Sequence, residues 1–409
     1  MESRIAVPAI TPEAQLLILC ARTAMVENQM MAVRSLAQND LNWDELVKRA
    51  KKHGVTSILY WNLNAICPEL VPSDVLLFLR QHFQSNAVRA HLLTQELIQL
   101  TKAAAVHGVS LIPFKGPTLA VMAYGNLLLR DFRDMDLIVA KETILEAYKI
   151  LESQGYKSLQ SAQRHLSKDL SSEHYHNFEK AYGTVRVDLQ WVMAGEDFSF
   201  QLDRKSIWQN LQPLQLQDAQ VMSLAPEDLL LILCVHGSKH VWEEMKWVCD
   251  VAELVGSQQK MDWGRVLMLA REWRCQRMLF LGLSLAQILF DIKLPDFLSQ
   301  KIDSNLVVAT LSRNIRQSLI ARFNTIDKND YQAYYYCLKD RWHDRWRYGI
   351  HLCRWDSSVI TTDLPWFQAQ RSLFVLNQVL QPIRVVVRKL KELLNLKKTV
   401  ASWLEGVSG

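Results

Sequence analysis

LIPFKGPTLAVMAYGNLLLRDFRDMDLIV, residues 111–139, alternates strand-like and helix-like signals within one short span. Leu111, Ile112 and Phe114 form an apolar run that ends at Lys115-Gly116. Pro117 then stands where a helix would begin, a position at which its missing N–H costs nothing. Thr118 to Tyr124 is helix-compatible, and Gly125-Asn126 is a stop signal. Asp134-Met135-Asp136 runs directly into Leu137-Ile138-Val139, which reads as a buried strand. Side chains alternate along a strand, so Asp134 and Asp136 are expected on one face. Two neighbouring carboxylates at the edge of a buried sheet repel each other. A hard divalent cation, Mg²⁺ or Mn²⁺, would relieve that repulsion.

The Lys115-Gly116 turn supplies the complementary half. A helix N-terminus offers backbone N–H groups to phosphate oxygens, and glycine allows close approach. Lys115 would add a point charge to the same phosphates. Arg130 and Arg133 flank the aspartates. They read either as phosphate contacts or as charge balance for Asp131, Asp134 and Asp136.

A strand, a glycine turn, a short helix and then Asp-x-Asp on the next strand resembles the nucleotidyltransferase superfamily. Lys115-Gly116, Tyr124-Gly125, Arg130 and Asp134-x-Asp136-Leu-Ile-Val more closely resemble the bacterial family of uncharacterised nucleotidyltransferases. The resemblance runs from the Thr11-Pro12-Glu13 helix start to the basic C-terminal segment. It implies an NTP substrate, Mg²⁺ or Mn²⁺ as cofactor, and catalytic and metal-ligating roles for Asp134 and Asp136. It also implies nucleotide binding by Lys115, Gly116, Thr118 and Arg130. Many superfamily members carry Gly-Ser where this chain has Gly116-Pro117, which leaves Thr118 as the nearby hydroxyl.

A third carboxylate is implied on a neighbouring strand, and Asp188 has that context. Val185, Val187 and Leu189 alternate with Arg186, Asp188 and Gln190, the period of a half-buried strand. Asp188 reads as a metal ligand or base, or else as a surface residue paired with Arg186. The family segment often reads Asp-Leu-His-Trp; here Gln190 stands in the histidine's place and cannot titrate.

Around this centre the chain reads as helical. One helix is expected over roughly Ala14 to Arg34, others over Trp43–Lys52 and Thr56–Asn64, and a long run from Ser73. Pro226-Glu227-Asp228 opens a second helical block, first over Leu229 to Gly256. All strands are expected between residue 107 and about residue 200. The expected fold is thus α+β and helix-rich. A small mixed sheet at 107–222 lies between helical regions at 1–106 and 223–409.

His236 and His240 share a helical face at i, i+4, with Lys239 between them. They read as a substrate-cleft wall, as packing against Trp242 and Trp247, or as a zinc site. His174 and His176 share a strand face, and Asp250 resembles a family position of unassigned role. Lys339 to Trp355 interleaves aromatic and basic residues. The pattern suits stacking on nucleic-acid bases or, by the preferred reading, a helix covering a core. The basic amphipathic segment after Pro382 would dock on the protein itself or on an anionic membrane.

A net charge of +5 over 409 residues is mild and fits anionic small molecules without demanding nucleic acid. Seven scattered cysteines with no C-x-x-C pair, and no signal peptide or membrane-length apolar run, point to a reducing cytoplasm. The expected reaction is NMP transfer from an NTP to an acceptor hydroxyl on a small molecule, a peptide or an RNA. The alternative is a nucleotide-sensing or partner-binding module on the same fold.

Overall fold

The Thr11 hydroxyl accepts the Ala14 N–H, and Pro12 occupies the first helical position, so α1 (Pro12–Cys20) starts where the sequence suggests. The computed structural model describes residues 10–159, 175–191, 200, 202, 204–320 and 328–355. The single helix expected over Ala14–Arg34 is instead two, α1 and α2 (Glu27–Ala37). The break has distant causes. The Asn62 amide donates to the carbonyls of Cys20 (2.8 Å) and Arg22 (2.9 Å), and the Thr23 N–H donates to Glu253 Oε1 (3.0 Å). Carbonyls and amides that would continue the helix are thereby taken by side chains from elsewhere.

Helix α3 (Trp43–His53) is capped by Asn42 and stopped by Gly54 in the left-handed region. Helix α4 (Thr56–Ile66) lacks a local cap. Its first N–H groups, on Thr56 (3.0 Å) and Ser57 (3.2 Å), donate to the Asp131 carboxylate, which also meets the Ser57 hydroxyl and His82 Nε2. Burial opposes the Asp131 charge, but bonds from His82 and Ser57 hold its carboxyl below the usual value. Asp131 stands in the loop that leads to Asp134, so this cap fastens the N-terminal helices to the candidate site.

Helix α5 (Ser73–Val106) spans about 50 Å at the usual rise per residue. It serves two cores. Val75 and Leu79 join one formed by Leu16, Leu46 and Leu59 with Leu230, Leu281 and Leu311. Leu93, Leu97 and Ala104 join another beneath the sheet, with Leu137, Phe178, Val187 and Trp191. The N-terminal helices, packed on one another, therefore share one core with residues far downstream.

The sheet has five strands, β1 (Ile112–Pro113), β2 (Met135–Ile138), β3 (Lys157–Ser158), β4 (Tyr175–Lys180) and β5 (Val185–Gln190). Their order is β1-β2-β5-β4-β3. Only β2 and β5 pair in parallel, so the sheet is mixed, as expected. Helix α6 (Pro117–Tyr124) joins β1 to β2, and α7 (Ile144–Ser153) covers the sheet's core side.

The strands are not confined to residues before 200. After α8 (Arg204–Gln209), β6 (Gln212–Leu216) and β7 (Ala219–Ser223) form a hairpin. Gln217 takes a positive φ of 52° in its two-residue turn, a place where sequence reading looks for glycine or asparagine. Buried Ala219, Val221 and Ser223 alternating with exposed Gln220 and Met222 were the available signal.

The expected Leu229–Gly256 helix divides into α9 (Pro226–Lys239) and α10 (Met245–Ser257). Between them Val241 (φ 52°) and Trp242 (φ 55°) are both left-handed, which is strained for a β-branched residue. The buried Trp242 ring holds the turn, lying in a slot between Gly237 of α9 and Gly282 of α12 (Gln276–Phe290), which follows α11 (Trp263–Glu272). A Cβ on Gly237 would stand 2.5 Å from the indole. Gly237→Ala is expected to cost about 1–3 kcal/mol by overpacking, measurable by chemical denaturation. It should also displace His240, next to the strained turn.

Helices α13 (Asp296–Asp303), α14 (Leu306–Ile320), α15 (Lys328–Leu338) and α16 (Trp342–Trp355) complete the described chain. Among the described residues no helix is long and apolar enough to cross a membrane. His174 and the basic segment after Pro382 lie outside the described residues.

Candidate functional site

The glycine turn sits directly on the entry to β2. Gly116 has φ 62° and ψ −130°, a conformation essentially reserved for glycine. A Cβ there would lie 3.2 Å from the Asp134 carbonyl, so no other residue lets the turn pack this closely. The Thr118 hydroxyl donates to the Lys115 carbonyl (3.0 Å), closing the turn from the helix side. Thr118 thus shapes the loop whose N–H groups begin α6.

Asp136 on β2 stands level with Asp188 on β5 in the parallel register, so both carboxylates lie on the same side of adjacent strands. Asp134, two residues before Asp136, joins them. Asp136 Oδ1 accepts from Lys115 Nζ (3.3 Å) and from Gln190 Nε2 (3.1 Å). Gln190, which stands where the resemblance expects histidine, is therefore a fixed donor to the central carboxylate.

Burial, followed by repulsion from Asp136, raises the Asp134 carboxyl above its usual value. Burial, with repulsion from Asp136 and Asp134, pushes Asp188 from 3.8 up to about 7. A carboxyl raised in this way binds its proton more tightly folded than unfolded. Its penalty is absent below about 3.8, grows as pH rises and is complete above about 7. Asp188→Asn, which cannot ionise, should therefore gain stability over the wild type as pH rises through that window. Melting curves of the two proteins across pH, without added cation, check this.

The donor set fits a hard divalent cation: three carboxylates on one face, with mutual repulsion that a cation relieves. Among the described residues, no three His, Cys, Asp or Glu side chains converge into a ready-made ion cage. Lys115 and Gln190 both bond Asp136 Oδ1.

The histidine wall faces this centre. His236 Nδ1 lies 3.2 Å from Lys115 Nζ. An ammonium only donates, so Nδ1 accepts and the neutral ring carries its proton on Nε2. Burial and the Lys115 charge set His236 well below the usual histidine value. Burial, then Lys239, depresses His240 to about 4. The two rings are 4.7 Å apart, and Trp247 meets both, at 5.6 Å and 5.2 Å. Lys239 Nζ lies 5.8 Å from the Tyr175 ring centroid, and burial followed by the Lys115 charge lowers its pKa. His236, Lys239 and His240 thus come to the carboxylates' side of the fold, and the packing on Trp247 is real as well.

Arg130 does not face this opening. Its Nε and Nη2 donate to Asp250 Oδ1 (2.8 Å) and Oδ2 (2.9 Å), and the Tyr124 hydroxyl donates to the same carboxylate (2.8 Å). Burial opposes the Arg130 charge, but Asp250 more than offsets it and raises the group above its usual value. The guanidinium fork expected on phosphate is engaged by protein. Arg133 is exposed. His176 turns to the other face of the sheet, edge-on to Tyr148 and Trp191 in the core. Cys20, Cys67, Cys234, Cys249, Cys275 and Cys337 are buried free thiols.

Sequence reading left Asp250 unassigned and passed over Tyr124 as a buried partner. The available signal was one aspartate in the apolar run from Trp247 to Val255. Residues 39–291, more than half of the chain, match the family model described as uncharacterised nucleotidyltransferase. No curated protein matches the chain. The glycine turn, the three aspartates and the histidine wall all lie inside the matched span, and the chain belongs to the family of uncharacterised nucleotidyltransferases.

Proposed function

We propose that the protein transfers a nucleoside monophosphate from an NTP to an acceptor hydroxyl, with Mg²⁺ or Mn²⁺ held by Asp134 and Asp136. The observation that carries the reading is the level placement of Asp136 and Asp188 on parallel strands, beside a lysine-bearing glycine turn. The acceptor oxygen bonds to the α-phosphorus, the bond to the β-phosphate bridge breaks, and pyrophosphate leaves. When bound, the cation supplies charge neutralisation at the α-phosphate and on the attacking and leaving oxygens.

The protein's own groups do the rest. Asp188, level with Asp136 on the adjacent strand, is placed to take the acceptor proton. Gln190 fixes the Asp136 carboxylate, and Lys115 and the α6 N-terminus receive the phosphates. His236, Lys239 and His240 line the acceptor side. Arg130, held by Asp250, positions the chain that enters β2 rather than touching the nucleotide. The acceptor is a small molecule, a peptide or an RNA.

Incubating the protein with each α-labelled NTP, Mg²⁺ and a cell extract tests the proposal. The expected result is a labelled acceptor with wild-type protein and none with Asp136→Asn. Nucleotide binding with no label transferred under any condition would favour the sensing module instead.

A further inference from the structure

The Lys115 ammonium is buried among groups that all compete for it. It lies 3.3 Å from Asp136 Oδ1, 3.2 Å from His236 Nδ1 and 4.9 Å from the Phe114 ring centroid. Its charge also acts on Asp134 and Asp188. Arg130, which also acts on Asp134, is paired with Asp250. Lys246 and Arg186 also act on Asp134 and Asp188, and Lys239 on Asp136, but Lys115 is the cation in a buried ion pair with the central carboxylate. The pair is made on Oδ1 of Asp136, an oxygen of the carboxylate at the centre of the three. Two cations cannot share that oxygen at hydrogen-bonding distance in a buried setting without strong repulsion.

We infer that Lys115 is a built-in counter-ion that weakens divalent metal binding in the nucleotide-free protein and yields to the metal only when a polyphosphate draws the ammonium away. The inference rests on the nucleotidyltransferase reading and adds a binding order to it. Metal and nucleotide each make room for the other: the triphosphate offers Lys115 a new anion, and the vacated Asp136 oxygen offers the metal a ligand. In this resting arrangement His236 Nδ1 accepts from Lys115. Since the coupling is thermodynamic, each ligand must raise the other's affinity by the same factor.

The test is Mn²⁺ binding, read by electron paramagnetic resonance of protein-bound metal, with and without a non-hydrolysable NTP analogue. In the wild type, Mn²⁺ alone should bind weakly and the analogue should tighten it by about 10-fold or more. Lys115→Met and Lys115→Gln, confirmed folded by thermal melting, should bind Mn²⁺ alone about 10-fold more tightly than wild type, with little further gain from the analogue. Neutral variants that bind Mn²⁺ alone no better than wild type, while Asp136→Asn abolishes that binding, would overturn the inference and leave the enzymatic reading intact. Should neither variant fold, the wild type decides, because equal Mn²⁺ affinity with and without the analogue also overturns it. If Asp136→Asn leaves Mn²⁺ binding unchanged with the analogue present, the nucleotidyltransferase site itself fails.

Discussion

Asp136→Asn should remove transfer activity and leave the fold standing. The side chain keeps its size, and an amide oxygen still accepts from Gln190 and Lys115. What disappears is the central negative charge of the three. With it goes the transition-state stabilisation that a held cation supplies, on the order of 3–5 kcal/mol, or about 10²- to 10⁴-fold in kcat/KM. Folding stability should change little, because weaker repulsion on Asp134 and Asp188 offsets a weaker partner for Lys115. Label transfer and a denaturation curve on the same preparation separate the two effects. A variant that loses activity only in proportion to its unfolded fraction would place Asp136 in the scaffold rather than the chemistry.

The second large effect should be the reverse, with stability lost first. Asp250 sits in α10 and takes two bonds from Arg130 and one from Tyr124, all buried. Asp250→Ala leaves a buried guanidinium without its counter-charge, at a cost of about 3–5 kcal/mol. The double variant Asp250→Ala with Arg130→Met removes both charges and should recover much of that loss. A double-mutant cycle by chemical denaturation measures the coupling. If Asp250→Ala and Arg130→Met were simply additive, the pair would not act as a unit and Arg130 would be free to serve the nucleotide.

The legible parts of this molecule are those written in contiguous residues. Asp134-x-Asp136 before an apolar run marked β2, alternation from Val185 to Gln190 marked β5, and Thr11-Pro12 marked the first helix start. The histidine wall was legible as a face, from i, i+3 and i+4 spacing, before its target was visible.

What escaped depends on partners far along the chain. Asp131 reads only as one of the charges that Arg130 and Arg133 would balance, yet it caps α4. Arg130 reads as a phosphate fork, yet Asp250 claims it across 120 residues. The α1–α2 break is made by Asn62 and Glu253, and the α9–α10 break by an indole in a slot between two glycines. Local propensity cannot anticipate a turn that tertiary packing alone makes tolerable.

The shared core has a consequence for how the chain is made. Leu16, Leu46 and Leu59 leave the ribosome early, whereas Leu230, Leu281 and Leu311, which complete their packing, are still untranslated. Synthesis from Leu79 to Phe290 takes on the order of 10–40 s at ordinary elongation rates. Throughout that interval the first helices can pack on one another, but the downstream half of their shared core is missing. Their biogenesis is a waiting problem, and a chaperone that recognises exposed leucine would meet this chain in its first half. Slowing translation between those points should increase aggregation of the nascent protein, whereas slowing it after Leu338 should not.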